Sequence, residues 1–168
     1  MKKILMLLIV VVGVAILAPR ILQWHGQQNE DAQVISHPIY AEARVKMDTS
    51  SSSIEGVMLA QTTDQADCEK HVRIMEQRLT SSASICPTCK LQTPECKAEL
   101  APRYVKIFEN KPAAVDYLSL ARGDPSEREI RLIYWGVTVE QSDKLCSAVS
   151  EFQKTRKGAV TCVRAPRQ

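Results

Sequence analysis

The chain lacks the motifs by which most enzymes are read. It has no G-x-S-x-G, no P-loop, no H-E-x-x-H and no glycine-rich dinucleotide loop. Histidine is scarce at 3 residues, and of His25, His37 and His71 only His71 falls in the part expected to fold. A Ser–His or Cys–His pair would have to use it. An excess of one charge is missing too: 22 Lys+Arg face 19 Asp+Glu, a net of +3. That is too even for a nucleic-acid binder, which needs a clustered basic face. Basic residues gather late, at Lys154, Arg156, Lys157, Arg164 and Arg167. They read as a helix C-terminus favoured by cations, followed by a solvated tail. No internal repeat is visible. With no cofactor or metal motif, the chain reads as a binding protein rather than an enzyme.

Apolar residues dominate one end. Lys2 and Lys3 precede an unbroken run from Ile4 to Ala18, followed by Pro19, Arg20, Ile21, Leu22 and Trp24. Taken to Trp24, the stretch is about 21 residues, enough to cross a bilayer. Arg20 would snorkel to the headgroups, and Trp24 suits the interface. A cleavage site is poorly served: Gly13 and Ala15 lie inside the run, and Ala18 has Ile16 where a small residue is wanted. Residues 1–24 are therefore expected to be an uncleaved anchor in the lipid bilayer of the inner membrane. A cleaved signal on a secreted protein is the alternative. The two lysines keep the N-terminus in the cytoplasm and send the rest into the periplasm or an equivalent extracytoplasmic space.

Residues 25–53 are mostly polar, end in Ser50 to Ser53 and read as a tether with a short helix around Tyr40 to Lys46. The domain is expected over 54–168. "IEGVMLAQ" has strand character. Thr63 or Asp64 can cap a helix to about Thr80 whose apolar stripe is Cys68, Val72, Met75 and Leu79, leaving His71 to solvent. Thr93-Pro94-Glu95 is a helix start, with Cys96, Leu100, Tyr104, Ile107 and Phe108 at helical spacing and a kink at Pro102. "AVDYLSLA" and "EIRLIYWGV" read as a hairpin joined by "RGDPSER". Thr138 and Gln141 form a capping box for a last helix, which Gly158 would stop in a left-handed conformation. "AVTCVR" is a final strand. The order is that of a ferredoxin-like (βαββαβ) plait, an α+β fold, with residues 81–112 as an inserted cysteine-rich helical segment.

The 6 cysteines are Cys68, Cys86, Cys89, Cys96, Cys146 and Cys162. An even count in an exported domain points to disulfides. From Cys146 to the helix end is about ten residues, or roughly 15 Å of rise. From Gly158 to Cys162 is roughly 13 Å of returning strand. The two sulfurs arrive at similar heights, so Cys146 pairs with Cys162. Among Cys68, Cys86, Cys89 and Cys96, either Cys86 or Cys89 returns to Cys68 and the other takes Cys96. Both matchings tie the insertion to the first helix.

Cys86-Pro87-Thr88-Cys89 also has the spacing of a thiol-disulfide active site. That chemistry wants a strand before the pair and a helix directly after it. "SSAS" is no strand, and the helix is expected only at Pro94. Zinc is disfavoured because Cys96 belongs to no second C-x-x-C, and haem attachment because residue 90 is Lys. In "EIRLIYWGV" both alternating sets are apolar. Either the strand is buried on both faces, or Tyr134 and Trp135, with Tyr117 nearby, form an aromatic patch for a partner. The reading that results is a membrane-anchored envelope protein whose exported, disulfide-stapled domain binds another envelope protein. An exported thiol-disulfide oxidoreductase using Cys86 and Cys89 is the competing class.

Overall fold

The computed structural model describes residues 35–48, 53–81, 89–147 and 149–166. The expected anchor, residues 1–24, lies outside them, as does Cys86. Among the described residues no helix is long and apolar enough to cross a membrane. The elements are β1 (Ile39–Asp48), β2 (Ser53–Thr62), α1 (Gln65–Ser81), β3 (Cys89–Lys97), α2 (Pro102–Phe108), β4 (Tyr117–Leu120), β5 (Glu129–Trp135), α3 (Val139–Ser147), α4 (Val149–Gln153) and β6 (Val160–Val163). They build an α+β fold around one six-stranded sheet in the order β3-β1-β2-β5-β4-β6. Every pairing is antiparallel.

Two stretches depart from the sequence expectation. Residues 39–48, placed in the tether, form β1, which pairs along its whole length with β2 from Ile39↔Thr62 to Asp48↔Ser53. The expected helix from Pro94 is instead the second half of β3, followed by the short α2. Pro94 has no N–H to give, but β3 is an edge strand, and its pairing with β1 slips between Glu42 and Arg44. A proline is tolerated at such an edge irregularity. Pro102 starts α2 rather than kinking a longer helix, a position where its missing N–H costs nothing.

The sheet is not a ferredoxin-like plait. In that arrangement the last strand returns beside the first of the motif. Here the place beside β2 belongs to β1, and β6 pairs with β4 instead. The β1–β2 hairpin occupies the flank locally, so the last strand has only the far edge left to extend.

Both faces of the sheet carry an apolar core. On one, Ala41, Ala43 and Ala60 meet Cys68 and Met75 of α1. Beside them Leu118, Leu120, Leu132, Tyr134 and Val160 pack with Leu145 of α3. On the other, Val57, Leu59, Tyr117 and Ile133 receive Tyr104 and Ile107 of α2. This explains the double apolar pattern of β5: Leu132 and Tyr134 serve the first core, Ile133 the second.

Two arginines dock α2. Arg131 is fully buried, and its Nε and Nη2 donate to the last carbonyls of α2, Ile107 O at 2.9 Å and Phe108 O at 3.0 Å. It also pairs with the Glu129 carboxylate and lies over the Phe108 ring. A buried guanidinium is tolerated because its donors are met, and the orphan helix carbonyls are satisfied in return. Arg44 donates to Tyr104 Oη at 2.8 Å, Glu42 at 2.6 Å and Glu55 at 3.1 Å. Glu42 is itself buried and also takes Lys97 at 3.1 Å.

Helix α4 ends at Gln153, and Gly158 is not its left-handed stop. Gly158 matters for closeness instead. A Cβ there would lie 2.0 Å from Ala121 O, and one on Gly123 would lie 2.0 Å from Gly158 N. Glu127 clamps the junction by accepting the amides of Gly123 (2.8 Å), Lys157 (2.8 Å) and Gly158 (3.0 Å). Gly158→Ala is expected to lose about 2 kcal/mol or more in urea denaturation, since backbone cannot move aside cheaply. Gly56→Ala is the control, because its Cβ would meet nothing nearer than 4.0 Å. Equal stability of the two variants would refute the close-contact reading.

Candidate functional site

The cysteines pair in one expected and one unexpected way. Cys146 of α3 is bonded to Cys162 of β6, with Cα atoms 5.4 Å apart. Cys68 of α1 is bonded to Cys96 of β3, with Cα atoms 6.0 Å apart. Neither expected matching of the cluster contains that second bond. It follows from β3 being a strand: Cys96 stands opposite Ala41 on β1, and Cys68 packs against Ala41. Cys86 and Cys89 are then the two cysteines that these bonds leave over. The backbone of Cys89 opens β3 opposite Met47, so the C-x-x-C leads into a strand. Cys86 itself lies outside the described residues.

The three aromatic residues do not make one surface. Tyr117 is fully buried in the core beneath α2, and its hydroxyl donates to Lys111 O at 2.9 Å. Trp135 is half-buried beside the same core. Tyr134 lies in the opposite core, with its hydroxyl 3.9 Å from Cys162 Sγ. Burial pushes its phenol up to about 12. An aromatic docking patch is therefore replaced by packing on two separate faces.

The most concentrated polar centre outside the α2 dock lies at the start of α1. Asp64 caps the helix by accepting the Asp67 amide at 2.9 Å, and Asp67 accepts the Thr63 amide at 3.1 Å. Asp67 also takes both arms of Arg128, at 2.7 and 3.0 Å, from the loop between β4 and β5. His71, expected in solvent, is buried one turn further along. Its Nδ1 sits 2.7 Å from Asp67 O and 3.2 Å from Asp67 Oδ1. A carbonyl only accepts, so Nδ1 carries the proton. Burial alone would raise the Asp67 carboxyl pKa; bonds from His71, Arg128 and Thr63 override it and hold the group well below the usual carboxylate range.

The network continues through Arg128 O, which accepts Arg156 Nη2 at 2.7 Å. Arg156 in turn stands 3.7 Å from Glu127. Beside it, Lys157 and Ser126 hold the Asp124 carboxyl down at about 2. Of the late basic residues, Lys154, Arg156, Lys157 and Arg164 each face an acid.

The centre has a carboxylate and an oriented imidazole, and the Thr63 hydroxyl donates to Asp67 at 3.3 Å and to Asp64 at 3.2 Å. Among the described residues, the buried His71 Nε2 has no hydrogen-bond partner. No group of three or more metal-ligating side chains occurs among the described residues. The arrangement acts as an ionic lock between α1 and the loops at one end of the sheet. No protein-family model matches the chain, and no curated protein or solved structure matches it either.

Asp67→Asn is expected to cost about 3 kcal/mol, because it leaves Arg128 facing a neutral partner in a largely buried pair. The Asp67 carboxyl is lowered on folding, so its contribution is complete above the unfolded value of about 3.9 and fades as pH falls below it. Urea melts from pH 6 to pH 2 should therefore show a shallower acid limb for the variant. A variant as stable and as acid-sensitive as the parent would dismiss the lock. Replacing Cys146 and Cys162 together by Ser is expected to cost about 3 kcal/mol in the chain-entropy model, and Cys68 with Cys96 slightly more, since the second loop is longer. Thermal melts of the two double variants check the ranking.

Proposed function

We propose that the protein is a cell-envelope protein, held in the inner membrane by residues 1–24, whose extracytoplasmic domain binds another envelope protein. The observation that carries this reading is the pair of disulfides, Cys68–Cys96 and Cys146–Cys162. Such bonds persist in oxidising compartments and are rare in the cytosol. The anchor comes from the apolar run and its two leading lysines. With β1 starting at Ile39, the tether shortens to residues 25–38, a reach of roughly 50 Å at most. A partner is then sought close to the membrane. Apolar cores take up much of both sheet faces, so binding would use loops, edges or the polar surface at the β1–β3 end, where Lys46, Lys90 and Gln92 are exposed.

Two other readings keep a specific motive. A cleaved signal would release the same stapled domain as a secreted binding protein. The oxidoreductase reading draws on the C-x-x-C spacing of Cys86 and Cys89.

One set of experiments separates them, using the full chain expressed in a bacterium with an envelope. The expected result is retention in carbonate-washed membranes, with protease reaching the domain in spheroplasts but not in intact cells. The domain should also migrate faster on non-reducing than on reducing gels. In-cell crosslinking followed by purification should bring down an envelope protein. A soluble protein with six reactive thiols would overturn the proposal, and a shortened, freely released chain would select the secreted form. Insulin reduction that disappears in Cys86→Ser with Cys89→Ser would select the enzyme.

A further inference from the structure

No further inference is drawn: the strongest candidate, the outer edge of β6 beside the Cys146–Cys162 bridge, has no strand against it among the described residues, but nothing in the structure shows what covers it.

Discussion

Both edges of the sheet are tied by covalent bonds to the helices that cover one face. At one edge Cys96 of β3 is bonded to Cys68 of α1; at the other Cys162 of β6 is bonded to Cys146 of α3. A small domain buries too little apolar surface to hold its margins firmly. Edge strands have one neighbour instead of two, so they are where fraying starts. The two bonds act there, and the apolar layer between them, from Ala41 to Val160, is closed from both sides.

The opposite face is organised by charge. Helix α2 has seven residues and adds Tyr104 and Ile107 to the core beneath it. Its ends are fixed by Arg44 at Tyr104 and by Arg131 at the last carbonyls. The Asp67–Arg128 pair then fastens α1 to the β4–β5 loop, and Glu127 fastens that loop to the turn before β6. Buried ion pairs of this kind are weak evidence for stability in themselves, because desolvation opposes the attraction. Removing one member is what reveals them. They also join segments far apart in the chain: Asp67 and Arg128 are 61 residues apart.

Much of the fold was legible, and the failures share a cause. Strands β2, β4, β5 and β6, helix α1 and the Thr138–Gln141 capping box all follow local signals. The Cys146–Cys162 bond needed only a helix followed by a strand running back along it. In β1, Ala41, Ala43, Val45 and Met47 alternate with Glu42, Arg44, Lys46 and Asp48. The period of two is there, but alanine is a weak apolar mark and the serine run beyond reads as linker. Once β1 is missed, nothing remains for 89–97 to pair with, and Thr93-Pro94-Glu95 takes the helical meaning it has in isolation. The Cys68–Cys96 bond is then out of reach. His71 differs: it bonds back to Asp67, which Arg128 holds from a distant loop, and no local pattern shows that centre.

The place where β1 sits has a mechanical consequence. The N-terminal segment enters the domain through an internal strand, flanked by β2 on one side and β3 on the other. Tension arriving through residue 38 pulls along the axis of β1, parallel to both ladders. The load must shear ten paired positions with β2 and seven with β3 together, rather than peeling one hydrogen bond at a time. The strand that takes this load is flanked by one tied to α1 through Cys96, so force is passed into the helical layer.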